Sequence, residues 1–150
     1  MSENDAMIIL KLTEMRMLDK MDDAFIWMYT QYKANSYEEF KEKYPLTSGT
    51  KERKYFSTVC NFFELCGVLV LRGYLNEDLF FDIGFGLDVI WRKVKLIMDD
   101  FRKETSVRMY ENFELLYDKH EEWLKKNPPK IQPKWFHKIF VSEDFIIFKI

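Results

Sequence analysis

Turn-forming residues are scarce in this chain, with five glycines and four prolines among 150 residues. An all-β protein needs many tight turns, so that architecture is disfavoured. Cysteine is scarcer still. Cys60 and Cys66 fall on one predicted helix, pointing about 120° apart and lying about 9 Å apart along its axis, which does not suit a disulfide. That usage points to a reducing compartment, the cytoplasm. The two histidines, His120 and His137, combine with these divergent cysteines into no zinc spacing. Carboxylates are plentiful, but they follow neither an EF-hand order nor a helical Glu-x-x-His pattern, so no metal or other cofactor is expected. Gly84-Phe85-Gly86 lacks the third glycine of a dinucleotide fingerprint and follows no βαβ unit, and no G-x-S-x-G elbow occurs. No run approaches the roughly 20 apolar residues of a membrane span, and the apolar run Met7 to Leu10 is too short for a signal peptide. A net charge of −2 gives no general reason to expect nucleic acid as a partner.

Aromatic residues, by contrast, are abundant: fourteen Phe, eight Tyr and four Trp, 17% of the chain. They can fill one dense core, and the length suits a single domain over residues 1–150. The apolar spacing is helical throughout. Asn61 to Gly73 is the most apolar stretch; extended back to Lys51, it places Phe56, Val59, Phe62, Phe63, Leu65, Cys66, Leu69 and Val70 on one broad arc. Lys54, Ser57, Asn61, Glu64 and Arg72 form the remaining strip, and Gly73 is a natural C-terminal cap. Ser36 with Glu39 reads as a capping box, and Asn76 caps a further short helix. Leu87, Ile90, Trp91, Val94, Ile97, Met98 and Phe101 share one face of the next helix. A last long helix, capped by Thr105 or Ser106, runs to about Lys126, where Asn127-Pro128-Pro129 stops it. The expected architecture is an all-α bundle of four to six helices, followed by an irregular or short β-like tail over 127–150.

The first helical region, about Asp5 to Lys33, carries two apolar stripes. Ile8, Leu12, Met15, Leu18, Phe25 and Tyr29 form one, and Leu10, Met17, Met21 and Met28 form another on nearly the opposite side. Methionine fills irregular gaps and also suits adaptable partner surfaces, so the second stripe is either buried or a dimer or partner face. Asp22-Asp23 is the expected break within this region.

Several blocks carry a family resemblance. They are Asn61-Phe62-Phe63-Glu64, Gly67-Val68-Leu69-Val70, Gly73 with Leu75, Glu77-Asp78-Leu79, Gly86, Ile90-Trp91, Phe101-Arg102 and Tyr110-Glu111-Asn112-Phe113-Glu114. Over residues 55–126 the chain resembles the helical family from bacteria, archaea and mobile elements catalogued as domain of unknown function 4760. The resemblance implies a small helical domain and carries over no catalytic residue. Many proteins of that kind have an N-terminal membrane anchor; none is seen in this sequence, so a soluble form is expected.

Glu64 stands at the border of the apolar arc, where a carboxylate needs a partner. Arg72, Lys54, Arg92 and Arg102 are the candidate cations, and an ion pair fixing helix register is the expectation. His120 lies on the face of Phe113, Tyr117 and Leu124 and reads as a core histidine. Small helical ribonucleases of the HEPN class have a similar architecture, but they need an Arg four to six residues before the His, and neither His120 nor His137 has one. Beyond Trp123, Lys125, Lys126, Lys130, Lys134 and Lys138 interleave with Trp135 and Phe136 without an acidic residue before Ser142, a pattern open to nucleic acid or to an acidic protein surface. The leading functional expectation is a non-enzymatic protein-interaction or regulatory domain, self-associating or binding a protein partner. The family's distribution suggests a narrower form, a phage or mobile-element protein that inhibits a host defence complex. The alternatives are a degenerate HEPN-like nuclease and nucleic-acid binding through the tail.

Overall fold

The computed structural model describes residues 3–46 and 49–131. Among them are seven helices and no strand: α1 (Glu3–Arg16), α2 (Asp19–Thr30), α3 (Tyr37–Lys43), α4 (Lys51–Leu71), α5 (Glu77–Ile83), α6 (Leu87–Glu104) and α7 (Glu111–Lys126). The β-favouring end of the chain lies outside the described residues. The helix count exceeds the expected four to six because the N-terminal region is two helices. Their break falls at Met17-Leu18, not at Asp22-Asp23. Asp19 and Asp22 instead occupy the first turn of α2, where negative charge complements the helix dipole. Asp22 also accepts a 2.9 Å hydrogen bond from Arg16 across the elbow.

Local chemistry accounts for most helix starts. Ser36 Oγ accepts from the Glu39 N–H at 3.2 Å, while the Glu39 carboxylate reaches back to the Asn35 N–H at 2.8 Å. Thr50 caps α4 through the Arg53 N–H, and Asn76 caps α5 through the Leu79 N–H. Gly73, at φ 72°, ends α4 as expected: its N–H bonds the Val70 carbonyl and the Tyr74 N–H bonds that of Leu69, a Schellman closure. The start of α7 differs from expectation. Thr105 and Ser106 close α6 and a turn, and α7 begins at Glu111 after Tyr110, which adopts the left-handed region at φ 54°.

α4 is the central helix, packed by α2 on one side and α7 on another. Phe56, Val59, Cys60, Phe62, Phe63, Cys66, Gly67 and Val70 are buried along it. Phe63 stacks on Phe113 of α7 at 4.8 Å between ring centroids, and Phe25 of α2 meets Phe62 and Phe63 edge-on at 5.7 Å. Each such pair contributes about 0.5–1.5 kcal/mol beyond its burial. By length and composition alone α4 could cross a membrane, which the shorter run Asn61 to Gly73 did not suggest. Here most of its apolar arc is covered by neighbouring helices, while Leu65 stays 41% exposed. α1 is the least integrated long helix, touching α2 and α5 through buried Ile9 and Leu12.

Candidate functional site

Where α4 crosses α7, glycine is required by space. Gly67 is buried, and a Cβ built on it would lie 2.3 Å from the Asn112 carbonyl oxygen. Its absence lets the two backbones touch. One turn earlier on α4, Glu64 faces the same crossing. Its carboxylate accepts from Asn112 Nδ2 at 2.7 Å and from the Phe113 backbone N–H at 2.9 Å. Phe113 belongs to the first turn of α7, whose N–H groups have no partner within the helix. Tyr110, at the capping position, supplies no side-chain acceptor. Glu64 therefore caps α7 from another helix, and a charged acceptor at a helix N-terminus is favourable.

Arg102, at the end of α6, braces the same start from the other side. Its Nε donates to the Met109 carbonyl at 2.9 Å, Nη2 to that of Tyr110 at 3.3 Å, and Nη1 pairs with Glu114 at 2.5 Å. The left-handed backbone of Tyr110 is held by these bonds and by packing of its ring on Phe56 and Phe101. Glu64 thus has polar partners but not the cation expected for it. Arg72 is exposed at the C-cap of α4, and Arg92 is exposed on α6.

Other helix ends are closed by distant side chains in the same way. Lys93 of α6 donates to the carbonyls of Met28 and Tyr29 at the end of α2, both at 2.8 Å. Burial, reinforced by nearby Lys33, pushes its ammonium pKa down. Asp5 of α1 accepts from the Asn76 N–H at the start of α5. Trp123 Nε1 donates to Asp78, and Lys119 pairs with Glu77, tying α7 to the first turn of α5.

Arg53 is a buried cation that the sequence reading passed over. Its guanidinium lies 4.4 Å from the Phe40 ring centroid and 5.3 Å from that of Phe101, with a 3.4 Å bond to the Tyr44 carbonyl. The available signal was its place on the arc of Phe56 and Cys60. His120 is 8% exposed, with its ring 5.1 Å from that of Phe81 and stacked at 6.2 Å on that of Trp123. Its Nδ1 is buried without a hydrogen-bond partner, so it is a core histidine but not a fully satisfied one. Burial lowers its pKa, against the opposing pull of Asp88 and Glu121. Cys60 and Cys66 are free and buried, and burial raises both thiol pKa values. Among the described residues no group of three or more His, Cys, Asp or Glu is placed to hold a metal ion.

The methionine stripe divides. Met28 is fully buried and is withdrawn from the candidate partner face: α2 turns that side inward against α4. Met21 is half-buried against the core. Leu10 at 62% and Met17 at 76% exposure remain outside, joined by Met7 at 70% and by Leu18 of the other stripe. Lys125, Lys126 and Lys130 are exposed, Lys130 pairing with Asp82. Lys134, Trp135 and Lys138 lie outside the described residues. A groove of about 640 Å³ beside α5 and α7 is lined by Phe81, Trp123, Leu124 and Pro128, with Asp78 and Lys130 at its rim.

Residues 2–123 match the model of the family described as Domain of unknown function (DUF4760). The chain belongs to this family. The match takes in α1 to α3 as well as all but the last three residues of the 55–126 region that carries the resemblance. No curated protein and no solved structure matches the chain. Within this DUF4760 chain, the residues that carried the resemblance meet one another. Glu64 and Gly67 from α4 contact Asn112 and Phe113 from α7, and Arg102 joins Glu114.

Proposed function

We propose that this DUF4760 chain acts by binding a protein partner through the outward side of α1, as an interaction or regulatory domain without an enzymatic step. The observation that carries this reading is the exposed apolar strip Met7, Leu10 and Met17, continued by Leu18 at the elbow. Large apolar side chains grouped on one helix face, beside a core already rich in buried aromatics, mark a surface built to be covered. The polar groups nearest the core have structural occupations: Glu64, Arg102, Lys93 and Asp5 all bond the termini of other helices. A host defence complex is the narrower partner the family's distribution suggests, and the cytoplasm is the compartment that the cysteine usage suggests.

The nuclease alternative draws on His120, and its burial between Phe81 and Trp123 counts against direct contact with a phosphodiester. Affinity capture with the full chain tests the main reading. Leu10→Lys/Met17→Lys should lose the captured partner while retaining wild-type helicity and melting temperature. Undiminished capture by this variant, or metal-independent RNA cleavage lost in His120→Ala, would contradict it.

A further inference from the structure

α5 is an acidic helix: Glu77, Asp78 and Asp82 lie on it, and no basic residue stands between Glu77 and Ile83. With the end of α7 it walls the groove of about 640 Å³, where the rings of Phe81 and Trp123 lie 5.7 Å apart and Leu124 is left 44% exposed. The Trp123 indole is held by its 2.6 Å bond to Asp78, so this apolar wall is fixed in place. That bond meets the Asp78 carboxylate with a neutral N–H, not with a cation. Lys126 also lines the groove, but in the last turn of α7 it complements that helix's own dipole.

The chain itself leads an occupant to this groove. The Asn127 N–H bonds the Trp123 carbonyl at 2.9 Å, and Pro128-Pro129 bars a further helical turn. Residues 127–131 then line the groove, and Lys130 reaches Asp82 on α5 at 3.1 Å. The described residues end there, at Ile131, and residues 132–150 follow. The stretch 130–138, Lys-Ile-Gln-Pro-Lys-Trp-Phe-His-Lys, holds three lysines and no acid, a charge opposite to that of α5. Trp135 stands four residues past Ile131, on a tether of at most about 14 Å. So short a tether gives a high effective concentration, and a modest apolar contact then suffices for occupancy.

We propose that the occupant of the α5–α7 groove is the chain's own segment 132–138, with Trp135 seated against Trp123 and Leu124 and with Lys134 and Lys138 beside Asp78 and Asp82. The segment is a strap over the groove, and its lysines are engaged within the molecule and not by nucleic acid. This inference is independent of the α1 strip.

Thiol labelling of the full chain tests it, because the two native cysteines are buried and an added one reports alone. In Leu124→Cys, a further Trp135→Ser should speed labelling about tenfold or more at unchanged helicity. Lys134→Glu/Lys138→Glu should speed it about threefold at low salt. Both effects should be the same at every protein concentration, since strap and groove belong to one chain. In the chain without an added cysteine, the fluorine resonance of 5-fluorotryptophan at Trp123 should shift with Trp135→Ser. Labelling and resonance both unmoved by Trp135→Ser would overturn the proposal, and RNA binding lost in Lys134→Glu/Lys138→Glu would then give the lysines to nucleic acid. Labelling that slows as protein concentration rises would overturn it in favour of a second copy. A charge reversal without effect would overturn the placement of the lysines on α5.

Discussion

Glu64 shows how one carboxylate at the border of an apolar arc can find its partners in the start of another helix rather than in a cation. It takes a backbone N–H from α7 and the Asn112 amide, so removing it leaves two donors without their partner at the helix start. Glu64→Ala should cost about 2–3 kcal/mol in urea unfolding, and Glu64→Gln about 1 kcal/mol, since the amide oxygen can still accept but the charge is gone. Equal stability of all three proteins would rule the cap out. His120 makes a prediction of another kind. Its folded pKa lies below that of the unfolded imidazole, which titrates near about 6.5, so between those two values the unfolded chain binds more protons. Its contribution is therefore complete above about pH 6.5 and is lost as pH falls toward the folded pKa. Melting temperature followed from pH 7.5 to pH 5 should fall less steeply in His120→Phe than in the wild type; parallel curves would contradict this assignment.

At the scale of elements, the helices themselves were legible and their ends only in part. Ser36, Thr50, Asn76 and Gly73 act within a few residues of where they stand, and such local chemistry shows in spacing. The start of α7 was misplaced because its cap comes from Glu64, 49 residues earlier in the chain, and its brace from Arg102. No local pattern encodes a partner at that distance. The elbow between α1 and α2 was misplaced for a related reason: Asp22-Asp23 looks like a break, yet acidic residues in a first turn support a helix. The closeness of α4 to α7 depends on Gly67. Gly67→Ala should destabilise by more than about 2 kcal/mol, because its methyl meets the Asn112 backbone and not a side chain that can move aside. Hydrogen exchange would show protection lost at the first turn of α7 before the middle of α4. A substitution tolerated without change in either would contradict the close approach.

For the whole molecule, the family blocks and the exposed surface divide the work. Glu64, Gly67, Phe101-Arg102 and Tyr110 to Glu114 hold α4, α6 and α7 together, which is why recognising them identified a family and an architecture without an activity. The candidate partner face, Met7, Leu10 and Met17, lies on α1, outside the region where the resemblance was read. Only the fold separates Leu10 and Met17 from Met28, since all three fall on one stripe of a helical projection. The central claim is that the α4–α7 joint builds the domain while α1 makes its contact. Affinity capture with Glu64→Gln beside Leu10→Lys/Met17→Lys tests this most directly. The account predicts that Glu64→Gln, though less stable, captures the protein partner as the wild type does, while the folded α1 variant captures none. Capture lost in Glu64→Gln and kept in the α1 variant would contradict it.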